Sequence, residues 1–179
     1  MSRSSCSSRR SSAALLLWLT VVALPVVAMA PLPELPFVPR QVGAGNLRHF
    51  GIQLYEARLW NGDGLWKPDA PYALELIYAR SFTAEAIAER SIVEIRRQGI
   101  DDALLLANWQ TRLRALFPDV AAGDRLLGLR QPGAGATFYL GERQIGRIDD
   151  EQLAAAFFAI WVGEQSSAPG LRRRLLGLP

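Results

Sequence analysis

Apolar and polar residues alternate along residues 72–80, YALELIYAR, so Tyr72, Leu74, Leu76 and Tyr78 share one side of a half-buried strand. Upstream, GAGNLRHFGIQLYEARLW at 43–60 reads as one long strand opening on a glycine turn, with Arg48 heading a face that carries Phe50, Ile52 and Leu54. The Gly- and Pro-punctuated NGDGLWKPDAP separates the two strands. Beyond them the pattern lengthens to that of helices. Thr83 can cap a helix running to about Gln98, with Glu85 in its first turn, Arg96 and Arg97 in its last, and Gly99 to end it. Asp101 and Asp102 open a second, whose stripe is Leu106, Trp109, Leu113, Leu116 and Phe117 and whose stop is Pro118. DRLLGLRQ and ATFYLGE flank PGAG as a hairpin, and QIGRI forms another short strand. Asp149, Asp150 and Glu151 then open a helix over 153–162 that is apolar all round; too short to span a bilayer, it is expected to lie centrally against the sheet. Pro169 starts the last helix, PGLRRRLLG. The order β, β, α, α, β, β, β, α, α predicts an α+β domain, an antiparallel sheet with helices layered on it. There is no internal repeat.

The N-terminal stretch does not belong to that pattern. Arg3, Arg9 and Arg10 precede an apolar run over 13–29 that is broken by Pro25 and ends in small residues, the layout of a secretory signal. Cleavage is expected after Ala28, because a cut after Ala30 would place Pro31 next; the alternative is an uncleaved anchor. Residues 1–28 are thus expected to be a signal peptide and the domain to be periplasmic or secreted. Residues 29–42, dense in proline, read as a stiff linker, which leaves 43–179 as the domain.

Charge changes the picture once this segment is set aside. The whole chain has twenty basic and seventeen acidic residues, a net charge of +3, but three of the basic ones are Arg3, Arg9 and Arg10. The body is neutral, so a nucleic-acid partner is not expected. The single cysteine, Cys6, precedes the apolar run, which excludes a lipoprotein anchor and leaves the body without thiol or disulfide.

Counting residues removes most familiar chemistry. One histidine, His49, rules out paired-histidine metal sites, and no G-x-S-x-G supplies a serine nucleophile. The carboxylates of IDDEQ are explained by helix capping, and Arg172, Arg173 and Arg174 by the solvated end of a helix. No metal or cofactor is expected. Arg48 is the remaining lead, since a guanidinium keeps its charge and needs acceptors for five N–H donors. Either a ligand supplies them, or an acid such as Glu75 or Glu94 does.

GAGNLRHFGIQLYEARLW, LFPDVAAGDRLLGLRQPGAGATFYLGERQIGRI, AAAFFAIWVG and APGLRRRLLG, in that order, resemble the bacterial chalcone isomerase-like family over residues 43–177. The resemblance implies an open-faced β-sandwich, a large antiparallel sheet backed by helices with a ligand cleft between them. In the plant enzymes of that family the cleft cyclises a chalcone; in fatty-acid-binding members it holds an acyl chain whose carboxylate is gripped by an Arg and a Tyr. Those two positions fall on Arg48 and Tyr55. The other plant site residues fall on Ile87, Glu94 and Leu171, where Tyr, Asn and Thr would stand. Ile and Leu remove donors that a developing enolate requires, whereas a carboxylate needs only an apolar cleft and one charged clamp.

The expected function is therefore non-catalytic binding of a fatty acid or similar small amphipathic carboxylate by Arg48 and Tyr55 in the sheet/helix cleft, with no catalytic residue assigned. Two alternatives stand beside it: an intramolecular lyase or isomerase acting on a chalcone-like or other small unsaturated substrate, and an envelope interaction protein with a vestigial cleft. Membrane contact is expected only through the N-terminal segment if it is uncleaved. Arg48 and Tyr55 are seven apart, so a bulge at Gly51 is needed to bring them to one face.

Overall fold

A two-residue turn divides what reads as one long first strand. In the computed structural model, which describes residues 32–179, Phe50 and Gly51 both have positive φ, 48° and 79°, the sign pattern of a type I′ hairpin turn. The elements are β1 (Arg40–His49), β2 (Ile52–Asn61), β3 (Tyr72–Tyr78), α1 (Ala84–Arg97), α2 (Ala103–Leu116), β4 (Arg125–Arg130), β5 (Ala136–Leu140), β6 (Arg143–Ile148), α3 (Glu151–Val162) and α4 (Pro169–Leu176). The expected signal peptide and its cleavage site lie outside the described residues.

The six strands form one antiparallel sheet in chain order, β1 to β6. Splitting the first strand overturns the face expected of Arg48, Phe50, Ile52 and Leu54: Phe50 and Ile52 sit at the exposed hairpin end. Gly51 is a turn residue, not a bulge. The register shifts fall elsewhere: Val42 is extra between Gln41 and Gly43, and Leu54 is extra where Leu47 pairs with Tyr55 but Arg48 pairs with Gln53.

The helices cover one face. Tyr72, Leu74, Leu76 and Tyr78 of β3 enter the main core there, with Ala57 and Leu59 of β2 and Phe138 of β5. The helix ends follow the chemistry of their caps. The Thr83 hydroxyl accepts from the Ala86 N–H, Asp102 from Leu104 and Leu105, and Asp150 from Leu153. α3 is apolar all round because it is covered on several sides, lying beside α1 and α4, with Phe157, Phe158 and Trp161 buried. Each such ring withdraws enough apolar surface to contribute roughly 1.5–3 kcal/mol before ordering costs are subtracted.

The opposite face is covered by the stretch that reads as a stiff linker. Leu32, Leu35 and Phe37 pack against Trp60, Ala73, Leu127 and Leu129, and β1 begins at Arg40, inside that stretch. Proline prevents the strap from joining a sheet interior, but its apolar side chains still cover an apolar patch. Glu75 also points to this face, fully buried, accepting from Trp60 Nε1 at 3.2 Å and Arg125 Nε at 2.7 Å.

Candidate functional site

The Gly-Ala-Gly at the head of β1 decides what lies beside Arg48. Gly43 and Gly45 are strand residues, not a turn, and being two apart they expose the same bare side of β1. A Cβ on Gly43 would run into the carbonyl oxygens of Arg174 and Leu175; one on Gly45 would come within 2.7 Å of Arg174 Nε and 2.9 Å of Leu171 Cδ1. Two missing methyls therefore let α4 lie directly on the strand. The helix runs antiparallel to β1, with Gly177 near Val42 and its first residues beside Leu47 and Arg48.

Between the two elements opens a groove of about 630 Å³, reachable from solvent. Its apolar lining includes Leu47, Ala168 and Leu171, and its charged groups are Arg48 and Arg174. Both arginines are exposed, and among the described residues neither makes a side-chain hydrogen bond or an ion pair. α4 starts without a side-chain cap at Ala168 and with Pro169, which has no N–H, so the N–H groups of Gly170 and Leu171 have no helical acceptor. The groove thus combines an apolar floor with three anion donors: two guanidinium groups and a helix N-terminus.

Tyr55 borders a different space. Its ring is half-buried, but its hydroxyl reaches under the helices and accepts from Trp161 Nε1 at 2.9 Å. Tyr78 meets it edge-on, ring centres 6.1 Å apart, and Phe82 lies 5.7 Å beyond Tyr78. Burial pushes the Tyr55 hydroxyl up to about 12; the Trp161 N–H opposes this, the Glu94 carboxylate adds to it and Arg90 subtracts. Burial also raises Tyr78, with the Tyr55 charge adding to the effect. Glu94 is buried on α1 and paired with Arg90 one turn earlier. Ile87 is half-buried against the core. No hydrogen bond joins Arg48 to Tyr55, which pairs across the strands with Leu47 while Arg48 pairs with Gln53, and Tyr55 does not line the groove.

Neither acid that could have neutralised Arg48 does so, because Glu75 is taken by Arg125 and Trp60, and Glu94 by Arg90. The carboxylates of IDDEQ act structurally. For Asp150, burial works against the charged form, but the Leu153 N–H and Arg112 outweigh it and hold the carboxyl below its ordinary range. Glu151 is lowered by its hydrogen bond from Arg130, a buried side chain that also donates to the carbonyls of Gln131 at 2.8 Å and Gly135 at 2.9 Å. Among the described residues no three His, Cys, Asp or Glu side chains gather as a metal-ligand set.

Residues 42–177 match the chalcone isomerase-like family. The chain belongs to that family. Among solved structures it is similar to a fatty-acid binding protein of Arabidopsis thaliana, with a TM-score of 0.61 at 12% identity, covering 82% of this chain and 90% of that one. No curated protein sequence matches the chain. The resemblance carried by the four motifs is borne out at the level of family and fold, including the α+β architecture of an open antiparallel sheet backed by helices.

Arg174 and the start of α4 were not singled out from the sequence as site residues. The signal was present in Gly43 and Gly45, whose spacing of two on a strand marks a face stripped for close approach. Trp161, the partner of Tyr55, lies 106 positions away and carries no local signal.

Proposed function

We propose that this chalcone isomerase-like protein is a non-catalytic binder of a fatty acid or similar amphipathic carboxylate, its head group on Arg48 and its chain along the β1–α4 groove. The observation that carries the reading is the Arg48 guanidinium, unpaired among the described residues, beside Leu47, Leu171 and Arg174, which is likewise unpaired there. An apolar surface with a few convergent donors is what such a ligand requires, and the groove volume falls in the range of small-molecule sites. The family and the fatty-acid binding protein of like fold point the same way. Tyr55 enters this reading as the cross-strand neighbour of Leu47, bracing the groove floor from the core side. Export through residues 1–28 is part of the same proposal and rests on the sequence pattern alone.

Native mass spectrometry of gently purified protein, followed by titration of the delipidated protein with oleate, tests the reading. A co-purifying acyl species and saturable binding that Arg48→Ala weakens at least about tenfold are expected, the loss of one charge-assisted pair. An empty protein that takes up no oleate overturns it.

One observation favours a second reading, an intramolecular lyase or isomerase. Burial keeps the Tyr55 hydroxyl protonated, and it accepts from Trp161 Nε1, which leaves its own hydrogen as a donor to a substrate carbonyl. Turnover of a chalcone well above background and abolished by Tyr55→Phe would establish it; the binding reading expects none.

A further inference from the structure

The turn between β1 and β2 carries an apolar point that the fold does not use. Phe50 is 92% exposed, more than any other large apolar side chain described, and Ile52 beside it is 49% exposed. Phe50 is also the one non-glycine residue described with positive φ, a conformation an aromatic residue adopts at a cost and for which Asn or Asp is the relaxed choice. Its ring contact is with its own neighbour His49, centres 4.3 Å apart. A ring held outward at the tip of a hairpin is convex and has no walls around it.

The charge behind the tip is one-sided. Residues 40–55 and 168–179, which form β1, the turn, the start of β2 and α4, contain Arg40, Arg48, Arg172, Arg173 and Arg174 and no Asp or Glu. Five of the seventeen basic residues of the body lie here with none of its seventeen acidic ones, so twelve basic face seventeen acidic in the remainder. Arg40, Arg48, Arg173 and Arg174 are exposed and make no ion pair among the described residues. Glu56 stands across β1 from Asn46 but is paired with Arg58, and Arg40 lies at the far end of β1, so nearest the tip Arg48, Arg173 and Arg174 form a cationic edge with no acidic partner among the described residues.

We propose that this edge docks on an anionic lipid bilayer, Phe50 and Ile52 entering the headgroup boundary while Arg48, Arg173 and Arg174 meet lipid phosphates. A protein partner would have to supply a pocket for a projecting ring and a matching acidic surface together; a fluid anionic interface supplies both without a preformed shape. Aromatic side chains are favoured at that depth, and each basic residue held at such a surface strengthens attachment roughly fivefold. This contact is separate from any made by the N-terminal segment, and it does not rest on the groove having a ligand. It would bring the groove mouth to the layer where acyl chains reside.

The test uses the full chain reconstituted in vesicles, with Cys6→Ser and a single environment-sensitive fluorophore on Phe50→Cys or, as reference, on Leu104→Cys. Leu104 is also apolar and 86% exposed, but it follows Asp101 and Asp102. With phosphatidylglycerol vesicles, the label at 50 is expected to shift to the blue and to lose iodide quenching several-fold, while the label at 104 stays in water. With phosphatidylcholine alone, or after Arg173→Ala and Arg174→Ala in a protein of unchanged circular dichroism, the shift is expected to shrink. A label at 50 that remains in water on anionic vesicles overturns the proposal. So does a shift that Leu104 shares or that lipid charge does not alter, and a shift that rises with protein concentration without vesicles assigns the tip to a second copy. Oleate binding by Phe50→Ser without vesicles is expected to match the parent, which separates this outcome from failure of the binding reading.

Discussion

The chain keeps polar groups beside apolar surface in two places, and they differ in whether those groups are satisfied. Under α1 and α3 the Tyr55 hydroxyl has the Trp161 indole, and Glu94 has Arg90. Along β1, Arg48 and Arg174 border a groove and have no partner among the described residues. A polar group satisfied within its own chain gains little by exchanging that partner for a ligand, whereas an unpaired one forms its charge-assisted bond only when the ligand arrives. On the proposed reading the interior cluster is structural and the edge is where a ligand would bind.

Breaking the groove itself should have the largest effect. Gly43→Val puts side-chain atoms where the backbone carbonyls of α4 lie, so the helix must move; a loss of about 3 kcal/mol in chemical denaturation, with loss of oleate binding, is expected. Gly45→Ala meets only side-chain ends of Arg174 and Leu171, which can shift, and should cost about 1 kcal/mol. Equal losses from the two would mean that α4 does not rest on β1 as described.

The two regions should then separate under paired substitutions. Arg48→Ala is expected to leave stability within about 0.5 kcal/mol, as for an exposed side chain, while weakening oleate by about 1.5–3 kcal/mol. Trp161→Phe should do the reverse, lowering stability by about 1–2 kcal/mol through the lost indole donor and repacking, with oleate affinity unchanged. Denaturant midpoints and calorimetric titration of both variants check the crossover.

The smallest effect is the dependence on alkaline pH. A tyrosine in an unfolded chain ionises near 10, and Tyr55 in the fold at about 12. The folded state therefore holds a proton that the unfolded state has lost between these values, so stability is unaffected below about pH 10 and falls as pH rises toward about 12. Tyr78 and Tyr72 are raised by burial in the same direction. Tyr55→Phe should leave a shallower alkaline fall than the parent; an unchanged fall would place the hydroxyl in solvent.

Most of the frame was legible because its signals are local. Alternation over 72–80, the oxygen caps Thr83, Asp102 and Asp150, and Pro169 at a helix start each depend on a few adjacent residues, and each lies where expected. The first hairpin was not legible, because Phe-Gly lacks the Asn or Asp that ordinarily marks such a turn. The packing of the strap over the back face was not legible, because proline content reports backbone stiffness, while the contacts of Leu32, Leu35 and Phe37 depend on a distant patch. At the proposed site, the chemistry of Arg48 drew attention from the sequence, but Gly43 and Gly45 read as a turn rather than strand, and Arg174 meets Gly45 only through the tertiary path of α4.

The most direct measurement is a titration of isotope-labelled protein with oleate followed by amide and indole chemical shifts. Changes are expected at Gly45, Leu47, Arg48, Gly170 and Leu171, with the Trp161 indole N–H unmoved. A shift of that indole with the β1 and α4 amides silent would put the acyl chain beneath the helices and contradict the edge as the binding place.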